Sequence, residues 1–87
     1  MRVLLKPRFA RLFDELSSNL QQEVFEKIEL FKDARNHKLL RVHPLHGKLQ
    51  GQHAFSVNYH IRIVFMYEDR KKTTAILLAI GNHDVYQ

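Results

Sequence analysis

The chain has no cysteine, so it can form no disulfide, thiolate nucleophile or cysteine zinc site. It also lacks any long apolar run; nothing approaches the ~20 residues a membrane-spanning helix needs. The short stretch Val3-Leu4-Leu5 falls below the length of a signal peptide, and the cytoplasm is the expected compartment. From Ala34 to Tyr67 there is no Asp or Glu, although Arg35, Lys38, Arg41, Lys48 and Arg62 all lie there. No HExxH or comparable pair of metal ligands occurs, and carboxylates are missing where the histidines gather. Neither a metal nor another cofactor is expected.

What is present answers to those gaps. Five of the six histidines fall between His37 and His60, and the sixth stands in Gly81-Asn82-His83-Asp84-Val85-Tyr86. Imidazole exchanges protons near neutral pH, and guanidinium stabilises charge on phosphorus. A surface combining the two without carboxylates suits a polyanion that is held and cut. The formal net charge of +5 points the same way, with nucleic acid the commonest acidic partner. Eighty-seven residues make one domain, 1–87, whose thin core would gain from a partner protein.

The order of elements reads β-α-α-β-β-β. Arg2 to Leu5 forms a first strand, stopped by Pro7, which suits the first turn of a helix. Phe9, Leu12, Phe13 and Leu16 recur at helical spacing. Ser17-Ser18-Asn19 breaks that helix and caps a second, from about Leu20 to Ala34, with Leu20, Val24, Ile28 and Phe31 on one stripe. Leu39 to Leu45 is a connector whose leucines touch the core. His46-Gly47 and Gln50-Gly51 mark turns. Strands follow at His53 to Val57, at His60 to Tyr67 and at Thr74 to Ile80, the last nearly all apolar and therefore central. The predicted fold is α+β: an N-terminal strand and a helical hairpin packed on one face of a small, mainly antiparallel sheet.

Alternation in the strand at 61–66 sets Ile61, Ile63 and Phe65 on one face and Arg62, Val64 and Met66 on the other. Helices over the first set leave Arg62 on the open face. A strand arginine is ordinarily solvated or salt-bridged, but Arg62 has few local carboxylates. His83 follows the last strand closely and sits at the sheet rim, where it serves catalysis or simply satisfies a carbonyl. Tyr86 packs as a lid, stacks on a base or offers its hydroxyl to phosphate. His43 is stiffened by Pro44, and His46 and Lys48 lie on the adjacent turn. RNA brings its own nucleophile, the 2′-hydroxyl, so cleavage needs only a base, an acid and a cation.

The whole pattern resembles the RelE/ParE superfamily of bacterial toxins from toxin–antitoxin modules, closest to its YafQ-like branch. The resemblance lies in the helical hairpin, in His43-Pro44-Leu45-His46-Gly47-Lys48-Leu49-Gln50-Gly51, in Tyr59-His60-Ile61-Arg62-Ile63-Val64-Phe65, and in Ala75 to Tyr86. It implies a ribosome-dependent messenger endonuclease that needs no cofactor, acts in the ribosomal A site and is neutralised by a cognate antitoxin. By position it implies a catalytic set of His43, His60, Arg62, His83 and Tyr86. The surrounding RNA-binding set is Arg41, His46, Lys48, His53 and Asn58. Ala54 and Ser56 stand near positions where RelE itself carries lysines; YafQ-like members place a histidine close to Ser56 and an aspartate close to His60, for which His53 or His60 would substitute. The alternatives are a ParE-like gyrase inhibitor without nuclease activity and a relic that only binds its antitoxin.

Overall fold

The computed structural model describes residues 1–86, with side chains through Val85. Strand β1 (Arg2–Leu5) leads to Pro7, which opens helix α1 (Pro7–Asp14) where its missing N–H breaks no hydrogen bond. Ser17 caps α2 (Ser18–Phe31), its hydroxyl accepting from the Leu20 backbone N–H at 3.2 Å. That helix stops three residues short of the predicted Ala34. Asp33 leaves helical geometry (φ −105°, ψ 115°), and its carboxylate accepts the Arg35 N–H to start a separate 3-10 turn at Ala34–Asn36.

The connector is more ordered than its sequence suggests. Val42 N–H donates to the His37 carbonyl at 3.0 Å and Arg41 N–H to that of Lys38 at 3.1 Å. This paired closure puts Arg41 in the left-handed position after a helical turn, at φ +58°, where glycine is usual. Leu40 is buried, but Leu39 is 75 % exposed, contrary to its expected core contact. The next residues form a two-residue strand, β2 (His43–Pro44), paired antiparallel with Ala54 and His53. Pro44 tolerates that place because β2 is an edge. Gly47 and Gly51 take positive φ in the two predicted turns, and Leu45 N–H donates to the Gln52 carbonyl to close the loop.

Three antiparallel strands complete the sheet: β3 (His53–Ser56), β4 (Arg62–Tyr67) and β5 (Thr74–Gly81). The lateral order is β1-β5-β4-β3-β2, with β1 parallel to β5, so the most apolar strand is internal as predicted. Phe9, Val24 and Phe31 from the helices meet Phe55, Ile63, Phe65, Ala75 and Leu77 of the sheet. Phe31 stacks on Phe55 at 4.3 Å and meets Phe65 edge-on at 4.7 Å. The β-α-α-β-β-β frame and one-sided helical layer are those the sequence predicts, with β2 added at the far edge.

The opposite face carries the lateral row Ala54–Val64–Ala79. A β-bulge at Leu78, between the pairs Val64–Ala79 and Phe65–Leu77, reverses the alternation within β5. Leu77 therefore points to the helices, while Ala79 and Gly81 point away from them. Among the described residues, no helix is long and apolar enough to cross a membrane.

Candidate nucleic-acid interface

Arg62 begins β4 on the face away from the helices, with Ser56 and Gly81 as its lateral partners. Two residues beyond Gly81, His83 opens a 3-10 turn (His83–Tyr86) that folds back against β4 and β5. A methyl group at Gly81 would stand 3.5 Å from Val85 Cβ, so the turn lies over the face that carries Arg62. The bulge at Leu78 puts it there. Asn82 caps the turn by accepting the Asp84 N–H at 2.9 Å. The Tyr86 backbone completes it; the Tyr86 ring lies outside the described residues.

His60 is exposed in the loop between β3 and β4, not in the strand where the sequence places it. Asn58 builds that loop. Its Oδ1 accepts the backbone N–H groups of His60 and Ile61 at 2.8 and 2.9 Å, and its Nδ2 donates to the Glu23 carboxylate. The Asn58 side chain, expected to contact RNA, thus holds the loop that carries His60. Arg62 leans on the same loop, with Nη1 donating to the carbonyls of Asn58 at 2.6 Å and Ile61 at 3.3 Å. Its Nε and Nη2 bond nothing among the described residues.

His43 lies opposite Ala54 on β2, two strands from β4 and hence about 10 Å across the sheet. Its Nδ1 sits 2.7 Å from the Arg41 carbonyl. A carbonyl only accepts, so Nδ1 is the donor, and Nε2 is the ring nitrogen that this bond does not engage. Arg41, His46 and Lys48 are all exposed, with His46 and Lys48 on the loop beside β2. The sheet thus brings Arg62, His60 and His83 to one end and leaves His43 across from them on the edge.

His53, expected among the RNA-binding residues, lies on the other side of the sheet. It pairs with Phe65 on the helix-facing side, its ring 5.4 Å from that of Phe65 and 5.0 Å from that of Tyr67. Burial, followed by the nearby Lys72 and His43 charges, pushes its pKa below the ordinary 6.5. Its Nδ1 is buried without a hydrogen-bond partner among the described residues. His37 is similarly structural, stacked on Phe31 at 4.9 Å with Nε2 2.8 Å from the Phe31 carbonyl. Among the described residues no three His, Cys, Asp or Glu side chains form a group able to hold a metal ion.

Sequence reasoning missed Tyr59 and Leu39. Tyr59 is 86 % exposed beside His60, with the two rings 5.3 Å apart. Its one signal in the sequence is an aromatic residue placed in a strand break instead of a strand.

No protein-family model matches the chain, and neither does any curated protein. Solved structures do. The RelBE2 toxin–antitoxin complex of Mycobacterium tuberculosis contains a chain 19% identical, with a TM-score of 0.70 over 94% of this chain and 96% of that one. The archaeal RelE–RelB complex of Pyrococcus horikoshii gives 13% identity and a TM-score of 0.72, covering 93% and 92%. In the YoeB–YefM complex of Staphylococcus aureus the values are 16% and 0.67, covering 95% and 97%. A two-helix layer on a five-stranded sheet of this order, matched along nearly the whole chain, is the fold of the RelE- and YoeB-type toxins.

Proposed function

We propose that the protein is the toxin of a toxin–antitoxin pair and cleaves messenger RNA on the ribosome. The observation that carries this reading is the pairing of Arg62 with Gly81, which sets the start of β4 beside the strand end that leads into the His83 turn. The fold shared with RelE and YoeB supports it, since those proteins are solved in toxin–antitoxin complexes.

Cleavage proceeds by attack of the ribose 2′-oxygen on the adjacent phosphorus. His43 removes the 2′-hydroxyl proton through Nε2, the ring nitrogen that the Arg41 carbonyl does not engage; exposed His60 is the other candidate base. Arg62 uses Nε and Nη2 to stabilise the charge that grows on the phosphorane oxygens. His83 donates a proton to the departing 5′-oxygen, leaving a 2′,3′-cyclic phosphate and a free 5′-hydroxyl. Tyr86 positions or stacks the nucleotide, and Arg41, His46 and Lys48 hold flanking phosphates. The partner antitoxin is an acidic or amphipathic chain that covers this basic face.

Primer extension on total RNA after brief induction tests the proposal. Cuts confined to translated codons, abolished by His83→Ala, are expected. Intact messages combined with failed DNA supercoiling would replace it with gyrase inhibition.

A further inference from the structure

A second feature lies around the corner from the sheet face, where α2, the 37–41 turn and the β3–β4 loop meet. A cleft of about 440 Å³ opens there, floored by Leu40 and Val57. Leu39 and Tyr59 line it, at 75 % and 86 % exposure, and the cations Lys27, Arg41 and Arg62 surround it. No carboxylate lines it, and none of the three cations forms an ion pair among the described residues. Its volume lies in the range of small-ligand sites. An apolar floor, an uncovered phenol ring and unpaired cations together fit one nucleotide: base against ring, phosphate against cations.

Two details strengthen that fit. Arg41 is held at φ +58°, a backbone conformation that L-residues rarely adopt. Glycine would relieve it, and the chain keeps a cation there instead. Arg62 belongs both to this cleft and to the sheet face, so a strand bound at the proposed scissile phosphate continues directly into the cleft.

We infer that this cleft binds a nucleotide of single-stranded RNA flanking the scissile phosphate, with its base stacked on Tyr59 and its phosphates on Lys27 and Arg41. The inference rests on the RNA-cleaving reading of Arg62 and His83, and its test is separable from that reading. Binding is measured by NMR titration of the whole protein with a 2′-O-methyl tetraribonucleotide, which cannot be cut. Shifts at Leu39, Arg41 and Tyr59 are expected. Tyr59→Ala should weaken binding about ten-fold or more, and Tyr59→Trp should restore it. Lys27→Ala should reduce the salt dependence of log K by about 0.7. In the ribosomal assay Tyr59→Ala should raise KM, while His83→Ala lowers kcat and leaves oligonucleotide binding in place.

The inference is overturned if the oligonucleotide leaves the cleft signals unmoved while His83-dependent cleavage persists. It is equally overturned if a peptide of alternating Glu and Leu moves those signals and the oligonucleotide does not, which makes the cleft a protein-docking groove. Binding in the cleft by a protein that cuts no message supports the nucleotide site and removes the nuclease.

Discussion

Replacing His53 with phenylalanine should make the protein more stable and leave the proposed RNA cleavage intact. His53 sits in an aromatic cluster with Phe65 and Tyr67, and its Nδ1 is buried without a partner among the described residues. An unsatisfied buried polar atom costs about 1–3 kcal/mol. Phenylalanine keeps the ring contacts and removes that atom, so a gain of about 1–2 kcal/mol is expected. At this chain length that raises Tm by roughly 4–8 °C per kcal/mol. The gain should also depend on pH. Burial holds the folded pKa of His53 below its ordinary 6.5, so the unfolded chain binds more protons in the interval beneath that value. The stability that His53 contributes is present above 6.5 and drains away as pH falls through that interval. Wild type should therefore weaken on acidification by a component that His53→Phe lacks, and the gap between them should widen. Urea melts of both proteins from about pH 8 to about pH 5 measure this directly. A variant that melts lower, or a gap indifferent to pH, would refute the buried-ring assignment; a fall in cleavage would return His53 to the RNA-contacting set.

Other substitutions separate roles on the same face. His83→Ala should lower cleavage about 10²–10⁴-fold if it acts as the general acid, read by single-turnover cleavage with purified ribosomes. Arg41→Gly should relieve the left-handed backbone, offset in part by glycine's greater freedom when unfolded, for a net gain of up to about 1 kcal/mol. The same change should weaken oligonucleotide binding, so stability and affinity move in opposite directions. Asn58→Ala removes the acceptor for two backbone N–H groups and should destabilise the protein by about 1–3 kcal/mol in thermal melts.

The sequence disclosed the frame because its patterns are long. Two helical stripes and three strands carry enough periodic residues to fix layer, order and the inward face of β4, and Arg62 follows from that alternation. The local surprises arise where one or two residues decide. Nothing in Thr74 to Gly81 announces the bulge at Leu78 that turns Gly81 and the His83 turn toward Arg62. His53 and His43 share a residue type and a neighbourhood, yet the pairing of Pro44 with His53 and of His43 with Ala54 sends them to opposite faces. Asn58 reads as a polar loop residue available to ligand, and nothing in the sequence pairs it with Glu23 or with the backbone of its own loop. Tyr59 gains meaning from exposure, which a single sequence does not encode.

The parallel pairing of β1 with β5 imposes an order of assembly. Arg2 finds its register partner in Thr74, and Leu5 in Leu77, so the opening segment waits while everything between is synthesised. Contacts so distant in the chain close slowly. β5 is also the strand that carries Gly81 against Arg62 and delivers His83. A growing polypeptide thus lacks its final sheet until β5 emerges, and the pairing of Gly81 with Arg62 on which the proposed activity depends forms only then.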